Sequence, residues 1–329
     1  MEKQRDLSLD FTRGIGILFV ILSHNLPNYY ILSAFWNRQA VPLLAIITAG
    51  FTYAAFQRGR TLEQYYSKKT IIKKFKKIFA PFLIVILIQC TITYFLDPGF
   101  DIKDVIRLGG MGPGSYFPWC YLQYWLYLPL IIWLVDTLSI KKSFIIILSI
   151  CICYEILCCI INIDPLIYRL LSFRYLVILY LGCIVRKLNL KINPIIMILA
   201  LAGFIYLFLV SYANLNTEPF LLNVWETHHW PSAFYALFLF LFISTILYKK
   251  VNHLKISDFI TKIGSYSYEI FICQMFIFTF LGWDRLNKGL AFIDNLYVRY
   301  TIFVIVTTCF SIAPIYIYKT RIKNIIFRK

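Results

Sequence analysis

The sequence predicts an all-α protein that crosses a membrane about ten times, and two observations carry this prediction. The chain has 329 residues, of which 60% are apolar and only 15% are charged, whereas an average soluble domain is roughly 25% charged. The apolar residues also gather in runs of about twenty, the length that a helix needs to cross a bilayer. We therefore expect a polytopic membrane protein with a single domain over residues 1–329.

Each predicted span is an apolar run between polar or Pro/Gly-containing stretches. The first run is long, contains Arg13 and His24, and lacks a small-residue cleavage site, so we expect it to stay as a helix rather than to be removed as a signal peptide. The ten predicted spans are 10–33, 39–57, 77–96, 117–136, 143–163, 168–186, 194–213, 232–249, 264–283 and 297–318.

Basic residues set the predicted orientation of these spans. Of the 33 Lys and Arg residues, 25 fall in the N-terminal leader and in every second segment after it that lies outside the predicted spans. The positive-inside rule assigns these segments to the cytoplasm. An even number of spans then puts both termini in the cytoplasm, in a multi-pass protein of the cytoplasmic membrane. The basic segments are the N-terminal leader with Arg13, then 58–77, 137–143, 186–192, 249–262 and 319–329.

Charge and cysteine content argue against other classes of protein. The net charge of +17 comes from short basic runs between apolar segments, which indicates membrane topology rather than one exposed surface for nucleic acid. The nine cysteines lie in or beside apolar segments without zinc-site spacing to histidines, where cysteine behaves as a small apolar residue. We expect no nucleic-acid partner, no metal and no disulfide framework.

The first span carries two ionisable residues, Arg13 and His24. Eleven residues separate them, which is three helical turns plus about 20°, so both side chains point to one face about 16 Å apart. An ionisable group facing lipid is costly, so this face should line a protein interior or a water-filled cavity. Each residue alone also has a simpler interpretation, since a terminal Arg can reach the headgroups and a His can be a packing residue.

This stretch is similar to the start of a known family. Leu9-Asp10, Arg13-Gly14 and then His24 resemble the first membrane helix of the acyltransferase 3 family, membrane-bound proteins that transfer acyl groups, commonly acetyl, onto extracytoplasmic glycans. Two departures from the family are lysines in place of an arginine cluster and Gln274 where a His is common. Further segments that resemble the family, in family order, are Thr48-Ala49-Gly50-Phe51, Lys73-Lys74-Phe75-Lys76 before Pro81, Ser172-Phe173-Arg174 with Leu181-Gly182, and Gly264 with Ser267, Tyr268 and Ile270.

The resemblance implies an O-acyltransferase with acyl-CoA, commonly acetyl-CoA, as donor substrate, a glycan as acceptor and no permanently bound cofactor. The sequence has no Gly-x-Ser-x-Gly motif, so we expect direct transfer with His24 as general base on the acceptor hydroxyl. Arg13, three turns toward the cytoplasm, would hold a donor phosphate or carbonyl. Asp10, one turn below Arg13, would orient its guanidinium.

The predicted cytoplasmic segment before span three contains a lysine cluster of Lys73, Lys74, Lys76 and Lys77. These residues form a candidate anion site for the phosphate groups of a cytoplasmic donor. Lysine binds phosphate as a point charge and cannot supply the bidentate fork of arginine. The positive-inside bias and attraction to anionic lipid explain the same lysines equally well.

Two charged residues lie within the later spans: Glu155 in span five, and Arg174 near the outer third of span six, which is a candidate acceptor contact. Glu155 lies near the centre of span five, where a carboxylate needs a cationic partner, and His24, Arg13 and Arg174 are the candidates. A histidine oriented by a carboxylate is a better base, which would give Glu155 a catalytic role. A structural ion pair is the alternative.

The predicted outer segments supply candidate acceptor contacts. A glycine-rich turn over 109–116, expected to be flexible and exposed, leads to Tyr116 and Trp119, which can stack on a sugar or belong to an interfacial aromatic belt. A second outer segment contains Trp225, Glu226 and His228. A metal is not expected there, because adjacent histidines rarely bind one ion and a third ligand at standard spacing is missing.

Three functions remain open from the sequence. The first is acyl transfer from acyl-CoA to a glycan, with the lipid bilayer as the surrounding partner. The second is a carrier or flippase for a lipid-linked glycan, which discontinuous half-helices and inverted repeats would support. The third is a structural or assembly subunit, in which Arg13 and His24 are dispensable. The sequence does not specify the oligomeric state.

Overall fold

A computed structural model describes residues 6–25, 30–282 and 287–319, and within these ranges all regular structure is helical. The first eight α-helices are α1 (Leu7–Asn25), α2 (Ala40–Gln57), α3 (Leu62–Tyr66), α4 (Lys68–Lys74), α5 (Ala80–Leu96), α6 (Ile102–Leu108), α7 (Phe117–Thr137) and α8 (Ile140–Ile160). The remaining ones are α9 (Pro165–Leu170), α10 (Leu176–Leu188), α11 (Pro194–Tyr212), α12 (Ala233–Leu241), α13 (Tyr248–Val251), α14 (Lys255–Ser265), α15 (Ser267–Phe280) and α16 (Leu296–Ile317).

Seven helical segments in the described ranges are long and apolar enough to cross a membrane, which makes the chain a multi-pass membrane protein. Each overlaps a predicted span, although Leu32–Gln57 and Lys68–Leu96 begin before the predicted spans 39–57 and 77–96. The predicted spans 117–136, 168–186 and 264–283 instead fall on α7, on the short helix α10 and on the 14-residue α15, so the count of ten and the location of both termini remain predictions. The seven segments are Leu7–His24, Leu32–Gln57, Lys68–Leu96, Ile140–Ile160, Pro194–Tyr212, Trp230–Val251 and Leu296–Ile317.

Glycines set the closest helix contacts. A Cβ on Gly264 of α14 would lie 1.7 Å from the carbonyl oxygen of Asp10, and one on Gly14 would lie 2.1 Å from the carbonyl oxygen of Ile260. Small residues let helix backbones approach in this way. The contact fixes the first half of α1, and therefore the base of the Arg13 side chain, against α14.

A second close contact joins α2 to α10. A Cβ on Gly50 would lie 3.3 Å from the carbonyl oxygen of Gly182, and one on Gly182 would lie 2.6 Å from that of Ile46. Gly50 of the Thr48-Ala49-Gly50-Phe51 segment therefore serves close packing of α2 against α10. The two contacts pack one face of α1 against α14 and one face of α2 against α10. The other faces of α1 and α2 remain available to line a cavity.

Candidate functional site

A cavity of about 930 Å³ follows α1 and α2 through the protein. Its lining residues on α1 include Arg13, Ile17, Val20 and His24, which recur every three or four residues and so form one stripe. The prediction that Arg13 and His24 share a face toward a protein interior is therefore confirmed. Their chemical roles remain predictions.

The two ends of the cavity differ in chemistry. Helix α2 has 18 residues and is about 27 Å long at 1.5 Å per residue, so the segments before and after it lie far apart. The basic end, beyond the end of α2, is formed by Arg60, Lys73, Lys74 and Lys77. The histidine end, near the start of α2, is formed by His24, Asn37, Arg38, Glu226 and His228.

Arg13 lies between the two ends. Its guanidinium lies 4.5 Å from the centroid of the Phe51 ring, a cation–π contact. Nη1 donates a hydrogen bond of 3.2 Å to Oδ1 of the buried Asp10, as predicted for a residue that orients the guanidinium. A third of the Arg13 side chain stays exposed to the cavity. Asp10 itself lies behind Arg13, outside the lining.

His24 lines the histidine end and has a ring nitrogen beside a backbone glycine. A Cβ on Gly114 would lie 3.9 Å from His24 Nε2. Within the described part of the chain neither ring nitrogen of His24 has a hydrogen-bond partner, and the ring packs edge-on against Phe278 at 6.1 Å. An unoccupied ring nitrogen at a cavity wall is what a general base requires.

The glycine-rich segment 109–116 contradicts the expectation of a flexible, exposed turn. None of its residues is exposed, and Gln274 donates a hydrogen bond of 3.2 Å to the carbonyl oxygen of Pro113. A Cβ on Gly112 would lie 2.6 Å from the carbonyl oxygen of Met275, and one on Gly114 would lie 2.8 Å from the Phe271 ring. The glycines are needed because this segment packs tightly against α15 and forms the wall beside His24.

The basic end contains an aromatic cage around Lys74. Its Nζ lies 5.1 to 5.8 Å from the ring centroids of Tyr65, Tyr121 and Trp125 and donates to the Tyr121 hydroxyl at 3.3 Å. Cation–π contacts of this kind fix the position of the ammonium. The backbone changes to a π-helix over Phe75–Phe79 directly after Lys74, a local irregularity that is frequent at functional sites.

Not all of the predicted lysines reach the cavity. Lys73, Lys74 and Lys77 line it, whereas Lys76 is not among the lining residues. Sequence reasoning also missed Arg60, which lines the same end and lies 4.8 Å from the Tyr65 ring centroid. Arg60 supplies the planar fork that the lysine cluster lacks.

At the histidine end, Trp225 and His228 belong to a layered aromatic cluster. The two rings stack at 5.6 Å, and Tyr116 meets Trp225 edge-on at 5.2 Å. Tyr116, Trp225 and His228 all line the cavity. The predicted acceptor contacts from two distant outer segments are therefore brought together in one wall.

Arg174 lies behind this wall, fully buried rather than at the cavity surface as predicted for a substrate contact. Its guanidinium lies 5.5 Å from the Trp225 centroid and donates to the Tyr175 hydroxyl, which in turn lies 3.0 Å from His228 Nδ1. Burial first, and the Arg174 charge second, hold the pKa of His228 well below its usual range. His228 is consequently neutral at neutral pH.

Glu155 and Trp119 do not line the cavity. The fully buried Glu155 accepts a hydrogen bond of 2.8 Å from the Tyr168 hydroxyl, a contact that does not involve His24. Trp119 donates to the carbonyl oxygen of Gly109 at 2.7 Å. Oε1 of Glu155 and Nε1 of Trp119 are thus bound to the protein itself, so both side chains support the structure around the wall.

Asn37 and Arg38, which sequence reasoning missed, line the histidine end. One signal for Arg38 was available: it is among the eight basic residues that fall outside the predicted cytoplasmic segments. Asn37 has no comparable signal. In the described ranges, no three His, Cys, Asp or Glu side chains are grouped so that they could hold a metal ion.

The fold and the cavity define a multi-pass membrane protein whose interior joins a basic end to a histidine end. A family model described as an acyltransferase domain, that of the acyltransferase 3 family, matches residues 6–317. The chain therefore belongs to the acyltransferase 3 family, a family of membrane acyltransferases, and the resemblance seen in its sequence is confirmed. No curated protein and no solved structure was found to be similar to the chain.

Proposed function

We propose that this membrane acyltransferase transfers an acetyl group from cytoplasmic acetyl-CoA to a hydroxyl group of an extracytoplasmic glycan, in the cytoplasmic membrane. The observation that carries the proposal is the single cavity whose lining includes both the basic end and His24. A donor bound by its phosphates at the basic end can extend its pantetheine arm along α1. The thioester then reaches His24 from the cytoplasmic side of the membrane, opposite to the side of the acceptor.

The basic end suits the nucleotide part of the donor. Arg60 can bind phosphate oxygens in a bidentate manner, and Lys73 and Lys77 add point charges. Lys74, held by its aromatic cage, adds a fixed positive charge beside aromatic rings on which the nucleobase of the donor can stack. Arg13 lies about 16 Å below His24, too far to contact a carbonyl group there, so it binds the arm or its phosphate instead.

The reaction is direct transfer in one active site. The acceptor oxygen attacks the thioester carbonyl carbon while its proton passes to Nε2 of His24, and the carbon–sulfur bond then breaks. The protonated His24 returns the proton to the departing thiolate, which leaves as the free thiol of CoA. General-base catalysis of this kind contributes about 10²- to 10⁴-fold in rate.

A purified preparation in lipid nanodiscs tests the proposal. The assay follows radiolabelled acetyl-CoA and de-O-acetylated surface polysaccharide from the producing cells, and measures both free CoA and label in the polysaccharide. We expect equal amounts of both products. No release of CoA in nanodiscs, together with movement of the lipid-linked precursor across the bilayer of sealed proteoliposomes, would contradict acyl transfer and favour a carrier.

A further inference from the structure

The histidine end contains a polar pair, Asn37 and Arg38, that the reaction as written does not use. Both residues lie in the short 3-10 turn Asn37–Gln39, directly before α2. Both line the cavity. Their position, on the same wall region as His24 and His228, is where the acceptor must lie when its hydroxyl reaches the base.

Asn37 is buried, and its amide group has no hydrogen-bond partner in the described part of the protein. The residue is 1% exposed, and neither Nδ2 nor Oδ1 makes a hydrogen bond within the described chain. Buried polar groups in native proteins are nearly always hydrogen-bonded, and an exception calls for an explanation. A bound molecule with hydroxyl or acid oxygens in the cavity satisfies both atoms.

Arg38 is a half-buried guanidinium with a similar lack of contacts. Among residues 6–25, 30–282 and 287–319, no carboxylate oxygen lies within 4.0 Å of it and no side-chain hydrogen bond is formed. Glu226 is near enough to attract it electrostatically. Arginine is always charged and presents a planar fork that matches a carboxylate or a phosphate.

The turn that holds the pair is fixed by its neighbours. Gln39 Nε2 donates to the carbonyl oxygen of Ala34 at 2.8 Å, and the Tyr235 hydroxyl donates to that of Phe35 at 2.8 Å. The backbone position of Arg38 is therefore set before a ligand arrives. A preorganised polar site loses less entropy when it binds its ligand.

We propose that Asn37 and Arg38 bind an anionic group of the acceptor, a carboxylate or a phosphate, next to the hydroxyl that is acylated. Arg38 forms the two charge-assisted hydrogen bonds, and the Asn37 amide binds a neighbouring hydroxyl. Glu226, on the same wall, accepts from a further hydroxyl. The acceptor is then an acidic rather than a neutral glycan. This inference rests on the proposed acyl transfer.

The test uses three forms of the de-O-acetylated native polysaccharide: untreated, with its carboxyl groups reduced to alcohols, and with its phosphate groups removed. Wild-type protein in nanodiscs should acylate the untreated form and lose at least about tenfold in kcat/KM on one of the two treated forms, since a hydrogen bond to a charged group is worth that much. The treated form that loses activity identifies the anion. Full activity on both treated forms would overturn the inference while leaving acyl transfer intact.

Variants provide the second arm. Arg38→Gln should raise the acceptor KM at least about tenfold for the untreated polysaccharide, without changing the KM for acetyl-CoA. The matched control, Arg60→Gln, makes the same change at the basic end and should raise the KM for acetyl-CoA instead. An Arg38→Gln protein with a wild-type acceptor KM would contradict the inference. Absence of transfer by the wild type on every form would instead contradict the proposed function.

Discussion

Gly114 provides a sharp test of how the acceptor approaches His24. In Gly114→Ala the new methyl group would lie 3.9 Å from His24 Nε2 and 2.8 Å from the Phe271 ring, and the backbone would keep a φ of +85°. A positive φ costs an L-residue about 1–2 kcal/mol, and the forced shift of the ring costs about 1–3 kcal/mol more. We expect a less stable protein whose space beside the base is narrowed.

Gly59 is a matched control, because it has a nearly identical φ of +87° and a Cβ there would meet nothing within 4 Å. Gly59→Ala should therefore show the backbone penalty alone. We expect kcat/KM for the acceptor to fall about 10- to 100-fold in Gly114→Ala, because misplacing reacting groups by about 1 Å can slow a reaction by that much. Transfer by Gly114→Ala at the rate of Gly59→Ala, per folded protein, would refute acceptor approach at this wall.

Three further predictions concern donor binding, pH and topology. Lys73→Gln should raise the KM for acetyl-CoA about fivefold, since one lysine near anionic phosphate groups is worth about 1 kcal/mol. Lys76→Gln, outside the cavity lining, should leave this KM unchanged. Equal effects of the two substitutions would contradict donor binding at the basic end. Burial, aided by the Arg174 charge, lowers the pKa of His229 to about 3. Below pH 6.5 the unfolded chain therefore binds a proton that the folded protein excludes, and the free energy of unfolding should fall by up to about 1.4 kcal/mol for each pH unit. His229→Gln should flatten the melting temperature against pH, and parallel curves would contradict this. Reporter fusions at residues 105 and 220 should lie outside the cell, and a cytoplasmic result at either would reverse the cavity's proposed orientation.

The sequence predicted those features that depend on distance along one helix. Arg13 and His24 share a face because eleven residues nearly complete three turns, and the apolar runs give the seven membrane-crossing segments. The basic run before span three was predicted as a donor site, and Lys73, Lys74 and Lys77 of that run line the cavity. These are local properties, which periodicity and charge reveal directly.

Features that depend on how helices pack against each other could not be predicted in this way. Hydropathy gives the depth of Glu155 but not its neighbour, so the sequence could not distinguish His24 from the Tyr168 hydroxyl that the carboxylate binds. In the sequence, Arg60 is one more predicted cytoplasmic charge. Only the folded protein shows that Arg60 lines the cavity beside Tyr65 whereas Lys76 does not. Composition likewise predicted an exposed glycine turn, although those glycines serve close packing.

The most direct test of the account is acetyl transfer by His24→Ala. The assay uses membranes matched for inserted protein, with label from acetyl-CoA followed into the polysaccharide. The control is His253→Ala, which removes an exposed histidine outside the cavity. The account predicts that His24→Ala loses about 10²- to 10⁴-fold in rate while His253→Ala keeps wild-type transfer. Wild-type transfer by His24→Ala would contradict the role of His24 as the general base.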